Sequence, residues 1–301
     1  MKSISLPNSY NYISAFLTLR CNLDCSFCVN KASDKDIKRN FFKELSGKEW
    51  VEALNRIEAP KEVPISFVGG EPSLHKDFIF ILNHLKPELG VDIFTNLWWG
   101  ERKLEKFLKE VSPDRIDNHA PFPSIRASYH PEQMGGGERL LKNAIMLKKE
   151  GFDVGIEGVM YPSPFQLEAL EKMDINCRNE GINFRPKSFI GVYEGVDDLN
   201  RPFSILHGDY SKYKGATLSK ETSDCKCKTS NLLINPDGNV HRCQRDLLLQ
   251  ENPLGNILDK NFQIKDSLKF CSNYGQCHPC DVKVKTDNKQ RLGTTLVEIV
   301  K

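Results

Sequence analysis

The chain has 301 residues, 39% of them hydrophobic, and its 42 Lys and Arg nearly balance 40 Asp and Glu for a formal charge of +2. That length carries about two domains at roughly 150 residues each and buries on the order of 75% of its unfolded surface, so a full core needs no disulfide staples. The composition excludes a disordered, collagenous or membrane-embedded chain, and the balanced charge gives no reason to expect nucleic acid or a membrane as partner. The longest apolar runs, such as Phe78 to Leu82, fall far short of the roughly 18 residues of a membrane span. Met1 to Tyr12 lacks the apolar core of a secretory signal, so the expected location is cytoplasmic.

From Tyr12 to Lys187 the pattern alternates between extended and helical segments. Tyr12 to Leu19 reads as a strand, followed by Ile65 to Val68, Val91 to Thr95, Ile125 to Tyr129, Asp153 to Met160 and Ile182 to Arg185. Between them, apolar residues recur at helical spacing over Lys48 to Ile57, Phe78 to Leu85, Leu104 to Val111, Arg139 to Lys149 and Phe165 to Asn179. Gly90, Gly151 and Gly181 stand where helices end. Six such units predict an α/β fold with a parallel sheet, fitting a partial (β/α)6 TIM-like barrel; an open doubly wound sheet obeys the same pattern.

Residues 188–224 lose that rhythm and read as a connector or lid between a barrel at 1–187 and a small cysteine-rich module at 225–301. Within the module, Pro236-Asp237-Gly238 lies between two apolar runs and predicts a hairpin.

Ten cysteines are the informative feature. Cys21, Cys25 and Cys28 cluster near the start; Cys225, Cys227, Cys243, Cys271, Cys277 and Cys280 cluster near the end; Cys177 stands alone and reads as a buried core thiol. In a large chain without an export signal, clustered thiols point to metal. The first group has the spacing C-x3-C-x2-C directly after a strand. Three thiolates on one loop can ligate three corners of a 4Fe–4S cube and leave the fourth iron open. A zinc or purely structural site is the competing reading, but it wants a fourth His or Cys nearby, and the next histidine is His75.

This loop, with Phe27 one place before its last cysteine, resembles the signature of the radical S-adenosylmethionine (radical SAM) superfamily. Gly69-Gly70-Glu71-Pro72 is similar to that family's GGEP segment, whose backbone and acidic residue receive the amino group of the cofactor's methionine. Two glycines let a backbone approach a ligand closely, and Glu71 can pair with an ammonium. The resemblance also implies cofactor contacts from Thr95, Asn96 and Ser128 at strand ends, and from Glu157 and Met160 in the segment beside adenine. Gly155 and Gly158 in that segment equally suit tight helix packing. The implied chemistry is reductive cleavage of S-adenosylmethionine to a 5′-deoxyadenosyl radical, which abstracts a substrate hydrogen atom.

Cys227, Gly238, Cys243, Cys277 and Cys280 follow C-x9–15-G-x4-C and C-x2-C and resemble the Twitch module, a shortened relative of SPASM. That implies one auxiliary 4Fe–4S cluster, with Cys225 and Cys271 as substitute ligands. A zinc ribbon is the alternative; His241 and His278 could serve it or be ordinary surface histidines. Arg185, Lys187, Tyr129 and His130 are the candidates for substrate orientation and proton transfer.

The expected function is oxidation, epimerisation or rearrangement of a small metabolite, with a flavodoxin- or ferredoxin-type electron donor as partner. The alternatives are a peptide maturase, for which the cysteine motif beginning at residue 21 leaves no room for a leader-binding domain within the chain, and a non-catalytic iron–sulfur scaffold. The GTP-cyclising relatives end in Gly-Arg-Arg, whereas this chain ends Thr294-Thr295-Leu296-Val297-Glu298-Ile299-Val300-Lys301, which sets them apart in expectation.

Overall fold

The computed structural model describes residues 2–28, 30, 43–117, 119–161, 163–187, 193–196, 202–203, 223–274 and 297–300, with backbone alone at 193–196, 202–203, 245, 271–274 and 297–300 and for most of 223–229. Six parallel strands lie side by side in chain order: β1 (Tyr12–Thr18), β2 (Ile65–Gly69), β3 (Val91–Thr95), β4 (Ile125–Tyr129), β5 (Val154–Val159) and β6 (Asn183–Lys187). Helices α1 (Gly47–Leu54), α2 (Phe78–His84), α3 (Glu101–Glu110), α4 (Pro131–Met134), α5 (Glu138–Lys149) and α6 (Pro164–Asn179) occupy the crossovers. Local chemistry sets their starts: Ser46 and Glu49 form a capping box on α1, and Pro131 and Pro164 open α4 and α6.

Alternation along the strands divides the sheet into two faces. Ile13, Ala15, Leu17, Phe67, Ile93 and Ala127 are fully buried in one core with Trp50, Ile81, Phe107 and Leu147 of the helices. The opposite parity carries Ser14, Ser66, Asp92, Arg126, Ser128, Glu157, Arg185 and Lys187. One face is therefore a hydrophobic seal, and the other is polar and charged.

The sheet does not stop at β1. Strand β7 (Asn231–Ile234) pairs with it in parallel, Leu232 opposite Ile13 and Ile234 opposite Ala15. Antiparallel β8 (Asn239–His241) and β9 (Gly255–Asn256) follow, giving the order β9-β8-β7-β1-β2-β3-β4-β5-β6. The β7–β8 turn is the expected hairpin at Pro236-Asp237-Gly238, with Gly238 at φ +85° and the Asn235 and Asp237 side chains accepting from Asn239 N. Arg56 binds this segment to the helical layer by donating to the carbonyls of Ile257 and Lys260 at 2.8 and 3.2 Å. Helix α7 (Gln244–Leu249) packs Leu247 and Leu248 against Phe16, Leu19 and Leu233. A separate three-stranded sheet places Ser223–Thr229 between Lys269–Tyr274 and Val297–Val300.

Candidate active site

Parallel α/β sheets bind ligands at the carboxyl ends of their strands, where loops rather than helices face the opening. The loop of Cys21, Cys25 and Cys28 leaves the end of β1 there and is fixed on three sides. At its base, Gly70 N donates to Thr18 O at 2.9 Å and Glu71 N to Arg20 O at 2.8 Å. On its flank, Asn96 Nδ2 donates to Asn22 Oδ1 at 2.7 Å. At its tip, Glu132 of α4 accepts from Ser26 N and Oγ at 2.6 and 2.8 Å, and Gln133 accepts from Asp24 N at 3.4 Å. Arg20 adds a bidentate pair with Glu44, both contacts at 2.9 Å.

None of the three cysteines is in a disulfide. Burial holds Cys21 above the ordinary thiol value, with Glu71 and Cys28 acting in the same direction, while the N–H of Leu23 and the Asn96 amide pull it down. Among the described residues no three His, Cys, Asp or Glu converge as a single-ion site, which zinc requires. Three separate soft donors on one loop fit a cube, in which each thiolate takes its own iron.

The Gly69-Gly70-Glu71 segment departs from expectation in two respects. The close approach that the glycines allow is to protein backbone: a Cβ on Gly69 or Gly70 would stand 2.1 Å from the carbonyl oxygen of Thr18 or Arg20. Glu71 is 1% exposed and does not reach out for an ammonium. Its carboxylate accepts from the Ser73 hydroxyl, Thr95 Oγ1 (2.8 Å), Asn96 N (2.7 Å) and Trp99 Nε1 (3.4 Å), so it bolts the end of β2 to the end of β3.

Strand parity separates the remaining candidates. Thr95 and Tyr129 lie on the helix side: the Thr95 hydroxyl is committed to Glu71 and Leu97 N, and the Tyr129 hydroxyl donates to Gly135 O at 2.6 Å. Neither faces the polar side, on which Ser128 and Glu157 lie. Ser128 has the polar parity, in register with Glu157 and, beyond it, Arg185. His130 packs on Phe27, 5.8 Å between ring centres, and Phe27 stacks on Tyr161 at 5.0 Å. Burial pushes His130 down to about 4, so it is neutral at pH 7 and a weak base. Met160 is half-buried against the core, with Met160 N donating to Lys187 O at 2.9 Å. Gly158 approaches α6 so closely that a Cβ would meet Leu170 at 2.3 Å, in keeping with tight helix packing.

On the polar face, Lys187 pairs with Glu157 at 3.0 Å; burial lowers the Lys187 pKa against the opposing pull of Glu157. Deeper, Arg126 pairs with Asp92 and is sandwiched between Phe94 and Phe122, 3.5 and 4.2 Å from their ring centres. Burial raises the Asp92 pKa despite Arg126. Asp92 and Arg126 went unnoticed in the sequence, although each is a charge in the middle of an apolar strand. So did Asn22, Glu44 and Glu132, whose role depends on contacts distant in sequence.

Of the later cysteines, Cys243 is half-buried at the start of α7, and Cys277 and Cys280, with His278, lie outside the described residues, as does most of the connector. Cys225 stands directly opposite Cys271 in the antiparallel ladder, and Cys227 lies two places along the same strand. His241 is buried at 1% exposure rather than on the surface, its ring engaged by Asn235 Nδ2 and Glu251 O at 3.2 and 3.0 Å. Cys177 is fully buried on α6 as expected.

The chain is 23% identical over 287 residues to GTP 3′,8-cyclase of Mannheimia succiniciproducens, covering 82% of this chain and 84% of that protein. It is 24% identical over 306 residues to the sporulation killing factor maturation protein SkfB of Bacillus subtilis, covering 89% and 70%. The fold matches Streptococcus suis SuiB, solved with precursor peptide SuiA, at a TM-score of 0.51 and 15% identity, covering 86% of this chain and 64% of SuiB. Residues 16–172, which run from inside β1 through the cysteine loop and into α6, match the radical SAM superfamily, and the chain belongs to that superfamily.

Proposed function

We infer that this radical SAM enzyme abstracts a hydrogen atom from a small metabolite and oxidises, epimerises or rearranges it, aided by an auxiliary 4Fe–4S cluster in its C-terminal segment. The carrying observation is the three-thiol loop tethered at base, flank and tip to the carboxyl ends of β1, β2 and β3 and to α4. When bound there, the cluster and S-adenosylmethionine supply reductive cleavage of the sulfonium and a 5′-deoxyadenosyl radical. Cys21, Cys25 and Cys28 would hold the cluster, and the Gly69-Gly70 backbone, Phe27, Ser128, Glu157 and Met160 would surround the cofactor. Arg185 would orient an anionic group of the substrate, and Lys187, once released from its pair with Glu157, would serve in proton transfer.

The proposed ligands of the auxiliary cluster are Cys227, Cys243, Cys277 and Cys280, with Cys225 and Cys271 as substitutes, a grouping supported by the register that sets Cys225 opposite Cys271, two places from Cys227. A second reading, a peptide maturase working with a separate leader-binding partner, is favoured by the similarity to SkfB across 89% of the chain. In either case a flavodoxin- or ferredoxin-type protein would deliver the electron.

The test is iron, sulfide and zinc per chain after anaerobic reconstitution, with dithionite-driven 5′-deoxyadenosine release followed on the same sample. About eight irons support two cubes, whereas about four irons with one zinc make the C-terminal centre structural. Changing Cys21, Cys25 and Cys28 together to Ala should remove about four irons and all release; release that survives overturns the site. Stimulation of release by GTP, sugars or peptides then separates the substrate readings.

A further inference from the structure

Every polar atom of the Asn96 side chain has a defined partner, and none of them faces open space. The residue is 5% exposed. Its N–H donates to Glu71 Oε2 at 2.7 Å, and its Oδ1 accepts from Trp98 N at 2.9 Å. The second of these bonds fixes which end of the amide is nitrogen, because a flipped amide would face the Trp98 N–H with another donor. Nδ2 carries two hydrogens: one goes to Asn22 Oδ1 at 2.7 Å, and the nitrogen lies 3.8 Å from Cys21 Sγ. The Leu23 N–H reaches the same sulfur at 3.4 Å. Cys21 thus collects two N–H donors, one from its own loop and one from the end of β3.

We propose that Asn96 is a tuning residue, donating to the Cys21 thiolate and raising the reduction potential of the cluster that Cys21 ligates, rather than contacting S-adenosylmethionine. Reduction adds negative charge to the cluster and its sulfurs, and a donor aimed at a sulfur stabilises that charge. The inference rests on Cys21 being a cluster ligand. The orientation is not adjustable: Glu71 anchors the backbone, Trp98 the oxygen and Asn22 one amide hydrogen, leaving the other for sulfur.

The test is an EPR-monitored redox titration of the reconstituted full chain, using the signal that changes when S-adenosylmethionine is added. Asn96→Ala and Asn96→Asp remove the donor. At a fixed dithionite potential the reduced-to-oxidised ratio should fall about tenfold, ~59 mV for a one-electron couple, with iron content unchanged. Asn96→Asp, which keeps the oxygen that caps Trp98 N and adds charge, should fall at least as far. An unchanged ratio at full iron content overturns the proposal. Because either variant could lose its iron, the intact residue is probed too: with asparagine amide nitrogens labelled as 15N in an Asn22→Asp background, which retains that acceptor and deletes its own amide, pulsed EPR should detect 15N coupling to the reduced cluster. No coupling overturns the proposal. Absence of iron from the unmodified chain would instead overturn the cluster assignment itself.

Discussion

Gly70 meets Arg20 main chain to main chain: a Cβ at Gly70 would lie 2.1 Å from the Arg20 carbonyl oxygen, the same oxygen that accepts the N–H of Glu71 at 2.8 Å. The residue immediately before the first cysteine is therefore held by the end of the neighbouring strand, and the fit depends on a missing side chain.

Gly70→Ala should displace the base of the cysteine loop, because backbone on both sides leaves nothing flexible to give. The expected cost is about 1–3 kcal/mol of stability, with iron per chain after reconstitution falling more steeply than the melting temperature. Iron at the unmodified level with an unchanged melting temperature would contradict this.

Glu71→Gln should cost on the order of 2 kcal/mol, since an amide cannot accept from every donor that now points at the carboxylate. With the amide oxygen placed to accept from Ser73 and Thr95, the Asn96 N–H would face an NH2 group in place of its acceptor. Denaturant unfolding measures the loss, and a variant as stable as the parent would show that water replaces the carboxylate.

His130 makes stability pH-dependent. Burial lowers its folded pKa to about 4 from 6.5, so the unfolded chain binds more protons between those values and stability falls as pH drops through that window. At pH 5.5, one unit below the unfolded value, its contribution to the loss should be about 1.4 kcal/mol relative to pH 7.5. His130→Phe, which keeps a ring against Phe27, should flatten the dependence by that amount in denaturation curves at the two pH values.

Lys187→Met should leave Glu157 buried beside an uncharged partner and cost about 2 kcal/mol, less than a fully buried pair because Arg185 stands opposite Glu157 in register. Lys187→Met with Glu157→Gln should recover most of that. The single variant reports on chemistry: if Lys187 serves in proton transfer, Lys187→Met should lose substrate turnover while dithionite-driven 5′-deoxyadenosine release survives.

The order of strands and helices was legible because each βα unit writes its own periodicity locally. The faces were harder. A shift of one place in a strand reverses its orientation, and Thr95 and Tyr129 sit one place from Asn96 and Ser128, so polarity near a strand end does not by itself tell which face a residue takes. Asp92 and Arg126 carried a signal, charge within Val91-Asp92-Ile93 and Ile125-Arg126-Ala127, which only pairing across β3 and β4 turns into a buried ion pair. The hairpin at Pro236-Asp237-Gly238 could be read from its turn, but not its attachment to β1, since no local pattern says that Leu232 lies beside Ile13.

That attachment changes what can be cut away. Strand β1 delivers Cys21, and both of its edges are occupied, by β2 on one side and β7 on the other. A chain ended before residue 231 would bare a row of main-chain donors and acceptors on the strand that carries the cysteine loop, an invitation to pairing between molecules. Residues 231–256 are thus structural insurance for the first cysteines, and deleting them to isolate a minimal barrel should yield aggregation before it yields an answer about electron transfer.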